Sequence, residues 1–186
     1  LSLVGSEMCI RDRNYAELRE ELLAKGVEFL SETDTEVAAH LLADVYRNAA
    51  GQDLTRAMQL ASQRLEGAFT LLAVHVDHPD RVVASRRNSP LVVGLGEGEN
   101  FLGSDVSGFI DFTREAIELE QDQVVTITAD AVEISDFRGG PAEGKRFTVD
   151  WDASAAEKGG FETFMEKEIH DQPQACLLYT SPSPRD

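Results

Sequence analysis

Cysteine is scarce: two of 186 residues, Cys9 and Cys176, near opposite ends of the chain. A single possible pair makes no framework of disulfides, so a reduced, cytoplasmic setting is expected. No run of about 18 apolar residues occurs, the length a membrane-spanning helix needs, so no span is expected. The opening residues lack a lysine-rich start followed by an apolar stretch, so no secretory signal is expected either. Positive charge is also short, with 17 lysines and arginines against 34 aspartates and glutamates, for a net charge of −17. A field of that sign repels phosphate backbones and anionic surfaces, so neither nucleic acid nor a membrane is an expected partner.

What remains is ordinary for a globular chain, with 42% hydrophobic and 27% charged residues. The length suits one domain of roughly 100–200 residues. The two ends differ from the middle. LSLVGSEMCIRDR (1–13) has neither strand alternation nor a helical stripe, and CLLYTSPSPRD (176–186) finishes in Ser-Pro-Ser-Pro, which continues neither a helix nor a central strand. Both read as a non-native leader and tail, resembling translated adapter sequence fused to an assembled fragment; disordered natural tails are the alternative. Both cysteines then fall outside the genuine protein, which spans 14–175.

Within 14–175 the periodicity is clear. Tyr15, Leu18 and Leu22 predict a helix stopped at Lys25-Gly26, and Val27–Leu30 reads as a short strand. Val37, His40, Leu41, Val45 and Tyr46 mark a second helix; Leu54, Ala57, Met58, Ala61 and Leu65 mark a third. Short apolar runs then predict strands over 68–76, 81–84, 91–93, 100–102, 116–119, 124–128 and 132–134. His78-Pro79-Asp80, Asn88-Ser89-Pro90 and the glycine-rich 94–98 supply turn chemistry between them. A short helix is expected over 106–112, and a last helix on Phe161, Phe164, Met165 and Ile169, ending before Pro173. Helices first and strands afterwards give an α+β class with a mainly antiparallel sheet.

The segment Ser31-Glu32-Thr33-Asp34-Thr35-Glu36 opens the second helix. Its spacing is a capping box, T-x-x-E, with Thr33 and Glu36 satisfying orphan backbone donors reciprocally. Asp34 and Glu36 also fall in the first turn, where negative charge favours the helix dipole. Spacing alone asks no more of these residues than capping.

The longer run NYAELREELLAKGVEFLSETDTEVAAHLL (14–42) resembles the glutaminase domain of the type II glutamine amidotransferases, in particular their amino-sugar-forming members. RLEGAFTLLAV (64–74), SPLVVGLGEGENFLGSD (89–105) and FMEKEIHDQPQA (164–175) extend the resemblance in order. It implies an Ntn-hydrolase αββα sandwich, here incomplete, and a natural protein that moves the amide nitrogen of L-glutamine to fructose 6-phosphate. The products would be glucosamine 6-phosphate and glutamate; no cofactor or metal is needed, and the complete enzyme is a homodimer. The aspartate matching Asp34 binds the α-ammonium of glutamine in that family. The family's N-terminal cysteine nucleophile, its oxyanion-stabilising Asn-Gly pair and its carboxylate-binding arginine all match positions upstream of Asn14. No catalytic residue is therefore assigned in this chain, which is expected to be inactive by itself and to hold glutamine weakly or not at all. Cys9 has no family counterpart and is not expected to be a nucleophile. Related glutaminase domains of amidophosphoribosyltransferase and asparagine synthetase type, and a non-catalytic α+β binding module, are the alternatives.

Other candidates read as structural. Gly94-Leu95-Gly96-Glu97-Gly98 lacks the following helix of a phosphate loop and suits a hairpin turn. His75 and Asp77 share a strand face while His78 falls in the predicted turn, so no compact metal-ligand set is expected. His40 and His170 lack sequence partners, and Arg86-Arg87 is too small a basic cluster for nucleic acid.

Overall fold

The computed structural model describes residues 11–12, 14–150, 165–166, 169–170 and 172. The chain divides into two compact units, Leu1–Asp150 and Trp151–Asp186. In the second, Met165, Glu166, Ile169, His170 and Gln172 are helical, as the apolar spacing predicts; Phe161, Phe164 and Pro173 lie outside the described residues.

The first unit begins with a two-residue strand, β1 (Arg11–Asp12). Three helices follow: α1 (Tyr15–Ala24), α2 (Asp34–Asn48) and α3 (Leu54–Arg64). Strands then run β2 (Gly67–His75), β3 (His78–Arg87), β4 (Val92–Leu95), β5 (Asn100–Gly103), β6 (Glu115–Glu118), β7 (Gln123–Ile127), β8 (Val132–Asp136) and β9 (Lys145–Thr148). They form two antiparallel sheets, ordered β1-β2-β3-β7-β8 and β5-β4-β6-β9. The α+β class is thus the one expected.

The first sheet is a middle layer, which explains why its strands read as unbroken apolar runs rather than alternating ones. Phe69, Leu71, Ala73, Val83 and Val124 face the helices and join a core with Leu22, Leu41, Leu42, Met58 and Leu65. The alternate positions Leu72, Val82, Ala84, Val125 and Ile127 face the second sheet, meeting Leu91, Val93, Ile117 and Leu119. On the far side of the second sheet a 3-10 turn, Val106–Gly108, brings Phe109 against Gly94, so close that a Cβ there would stand 2.6 Å from the ring. The helix predicted over 106–112 is therefore this shorter turn. Helices, first sheet and second sheet make three of the four layers of an αββα sandwich.

α3 meets the first sheet through polar side chains as well. The Thr55 and Thr126 hydroxyls lie 2.7 Å apart, Gln59 Nε2 donates to Ser135 Oγ at 2.9 Å, and Ser62 Oγ donates to Ser85 Oγ at 2.9 Å. These residues lie at spacings of four and three, one stripe of the helix.

Three local expectations change. Residues 27–30 are not a strand, because the backbone N–H groups of Leu30 and Ser31 donate to the Glu36 side chain instead of a neighbouring strand. The β2–β3 turn is Val76-Asp77 rather than His78-Pro79-Asp80, and His75 pairs with His78 beside a register shift. Pro79 is tolerated because β7 pairs with β3 only from Val82 to Arg86, which leaves its missing N–H without a ladder partner to lose. The leader is not wholly without strand structure, since Arg11 and Asp12 pair with Ala68 and Gly67.

Candidate functional site

Thr33 is the N-cap of α2, and its hydroxyl accepts from the Glu36 N–H at 3.4 Å. Half of the expected capping box is therefore present. The other half is redirected: Glu36 does not reach back to the Thr33 N–H, which donates instead to Ser31 Oγ at 3.3 Å. The Glu36 carboxylate accepts from the backbone N–H groups of Leu30 and Ser31, both at 2.7 Å, and from the Ser31 hydroxyl. Nε2 of His40, one turn on, stands 3.5 Å from it. The Leu30 N–H above all, then the Ser31 hydroxyl and N–H and His40, pull its pKa down to about 2.

Asp34, the first residue of α2, is differently placed. Its Oδ1 accepts from the Thr35 N–H at 2.8 Å. Its Oδ2 has no hydrogen-bond partner among the described residues, and the side chain is half-buried. Of the two carboxylates in this turn, Glu36 is engaged on both oxygens, while Asp34 has one oxygen without a partner among the described residues. A carboxylate at a helix start with a free oxygen suits a cationic donor such as an ammonium.

Behind this turn, α1 and α2 are joined by a line of side chains. The Arg19 guanidinium lies over the Phe29 ring at 4.8 Å, and Phe29 meets the His40 ring edge-on at 4.9 Å. His40 thus has partners that its place in the sequence did not reveal. Lys25 adds a bridge from α1 to α2, 2.8 Å from both Glu21 and Asp44.

The remaining candidates fall into structural roles. The 94–98 segment closes the β4–β5 hairpin, with the Gly96 N–H donating to Glu99 O at 3.0 Å. His75 and His78 come closer than the sequence suggests, ring centres 6.1 Å apart, because the turn lies between them. His75 Nδ1 accepts from the Asp77 N–H and its ring lies 4.4 Å from Tyr46, while His78 Nε2 contacts Gln52 O. Among the described residues no three His, Cys, Asp or Glu side chains are grouped to hold a metal. Arg86 is buried and donates to Leu119 O. Arg87 joins Asp122 and Leu65 O, each at 2.6 Å, and lies over Phe137 at 5.0 Å. Both arginines hold strands and turns together. No helix among the described residues is long and apolar enough to cross a membrane, and both cysteines lie outside those residues.

A helical layer packed on two antiparallel sheets is the architecture of the first unit, and the family comparison names its class. The chain belongs to the glutamine amidotransferase domain family, whose model matches residues 12–111, more than half of its length. It is 74% identical over 162 residues to the glutamine–fructose-6-phosphate aminotransferase (isomerizing) of Corynebacterium efficiens, covering 87% of this chain and 26% of the relative. The enzymes of the same name from Streptomyces coelicolor and Mycobacterium tuberculosis are 60% identical over 162 residues and 52% over 168. The same 87% of this chain is covered in both, against 26% and 27% of those relatives. The chain thus spans about a quarter of the length of these curated relatives. Among solved structures, the glutamine phosphoribosylpyrophosphate amidotransferase of B. subtilis, complexed with ADP and GMP, matches with a TM-score of 0.56 at 22% identity. It covers 67% of this chain and 27% of that one. That likeness is one of fold.

Proposed function

We propose that this chain is the later part of the glutamine-hydrolysing domain of an enzyme that transfers the amide nitrogen of L-glutamine to fructose 6-phosphate, giving glucosamine 6-phosphate and glutamate. The identity to aminotransferases of that name supports the acceptor, and it favours the amino-sugar reaction over the phosphoribosyl one, whose example is alike in fold only. Asp34 carries the glutamine reading. Its free Oδ2 accepts the α-ammonium of glutamine in a charge-assisted hydrogen bond, which discriminates against ligands without that amine. The nucleophile, the oxyanion donors and the carboxylate-binding arginine belong to the segment upstream of Asn14, so this chain by itself does not hydrolyse glutamine. The full-length enzyme works in the cytoplasm as a homodimer, without metal or organic cofactor; the net charge of −17 argues against nucleic acid and anionic membranes as partners. We take the flanks 1–13 and 176–186 as foreign to the domain; a curated match of 162 residues has the length of 14–175, while the family model's match begins two residues earlier, at residue 12.

The test joins this sequence to an upstream segment of the family and follows glutamate release. Glutaminase activity appears in the joined protein and is absent from the chain alone. Asp34→Asn then raises the KM for glutamine about tenfold or more, the effect of losing one charge-assisted hydrogen bond. A joined protein that folds without hydrolysing glutamine would refute the assignment.

A further inference from the structure

The two acids of the α2 first turn divide their work, and the division identifies a second residue of the site. Residues 30–33 pack against little: Leu30 is 96% exposed, and Ser31, Glu32 and Thr33 are exposed as well. What holds them over the helix start is the Glu36 carboxylate, through two backbone N–H groups at 2.7 Å and the Ser31 hydroxyl. The Thr33 cap is the weaker tie, at 3.4 Å. Ser31 Oγ lies 2.9 Å from Thr33 Oγ1, so the clamp on Ser31 also orients the cap. Asp34 sits between Thr33 and Glu36, and its direction follows from where the helix begins. Glu36 is in turn held from behind by His40, whose ring Phe29 fixes.

We infer that Glu36, clamped on Leu30 and Ser31 and backed by His40, is a positioning residue that aims the Asp34 carboxylate at the α-ammonium of glutamine. The inference rests on the proposed role of Asp34. Glu36 does not touch the substrate: both its oxygens are occupied by the 30–31 segment. Without it, the loop loses its only strong anchor among the described residues, the first turn frays, and Asp34 samples directions in which the ammonium is not met.

The experiment uses the full-length enzyme carrying this sequence, with initial rates of glutamate release measured against glutamine and the KM for fructose 6-phosphate measured alongside. Asp34→Asn raises the glutamine KM about tenfold or more, and Glu36→Ala raises it about fivefold to tenfold. Both act on the glutamine KM more than on kcat and leave the fructose 6-phosphate KM in place. Glu36→Gln, which keeps one carbonyl oxygen for the clamp, falls between wild type and Glu36→Ala. A merely structural cap would lower the melting temperature without moving the glutamine KM. A Glu36→Ala enzyme that keeps that KM within about twofold while Asp34→Asn raises it overturns the positioning role and leaves the glutamine reading intact. An unmoved KM in Asp34→Asn overturns both. If Glu36→Ala does not fold, Glu36→Gln decides: a raised glutamine KM supports the clamp, and a wild-type value overturns it.

Discussion

The seating of α3 on the first sheet turns on one buried pair, whose removal has a calculable and unequal cost. Ser62 and Ser85 are each 0% exposed. Ser62 Oγ donates to Ser85 Oγ, and Ser85 Oγ donates onward to Met58 Sδ at 3.2 Å. Ser85→Ala strands the Ser62 hydroxyl as a buried donor, at about 2 kcal/mol, within the range for an unsatisfied buried group. Its fallback is a back-bond to a carbonyl one turn earlier, which reduces but does not cancel that cost. Ser62→Ala leaves Ser85 with its sulfur acceptor, so the loss is one ordinary net hydrogen bond, about 1 kcal/mol. The double alanine variant strands nothing and costs about 1 kcal/mol, so the cycle gives a coupling of about −2 kcal/mol. Urea titrations followed by far-ultraviolet circular dichroism measure all four proteins. In thermal scans, Ser85→Ala melts about 4–8 °C lower and the double variant about 2–4 °C lower. Equal costs for the two single variants, adding up in the double, would refute the donor order and the stranded hydroxyl.

Other perturbations follow from the same geometry. Glu36 has its pKa lowered from 4.5 to about 2, so the stability it contributes is complete above pH 4.5 and lost as pH falls through about 2. Glu36→Gln should flatten that part of an acid titration relative to wild type; parallel curves would deny the clamp. Gly94→Ala drives a Cβ to 2.6 Å from the buried Phe109 ring and should cost about 1–3 kcal/mol by denaturant titration, whereas a neutral result would mean the ring yields freely. Deleting 1–13 and 176–186 removes only the Arg11–Asp12 pairing from the described sheet, so the melting temperature should fall by no more than about 3 °C. A larger loss would mean that the flanks pack.

The three helices were legible because their core residues recur at helical spacing and tolerate no other reading. Most strands of the first sheet were legible for a different reason: a layer covered on both faces is written as continuous apolar runs. β9, Lys145-Arg146-Phe147-Thr148, was missed because its one apolar residue gives no pattern. The Val76-Asp77 turn carries none of the glycine or asparagine that a two-residue hairpin ordinarily uses; neither residue has a positive φ, and the neighbouring register shift and the His75 side chain serve the turn instead. The polar stripe Thr55, Gln59 and Ser62 escaped because polarity on a helix is normally read as outward. At the site, T-x-x-E located the start of α2 correctly but predicted the wrong partner for Glu36, since spacing cannot tell a bond to the cap from a bond to the chain before it. The role proposed for Asp34 came only from the family resemblance. That its Oδ2 has no partner among the described residues is recorded in no linear pattern.

The outer edge of β2 invites a practical use. Only Gly67 and Ala68 are paired there, by Asp12 and Arg11; among the described residues, Phe69 to His75 present about 24 Å of ladder with no strand beside them. Left open, such an edge promotes association between copies. Filled on purpose, it is a seam along which an enzyme can be divided. A strand supplied as a separate polypeptide would join by main-chain hydrogen bonds, with side chains on alternate faces selecting the right partner. Completion of the sheet would then depend on two molecules meeting, and its recovery would report their encounter.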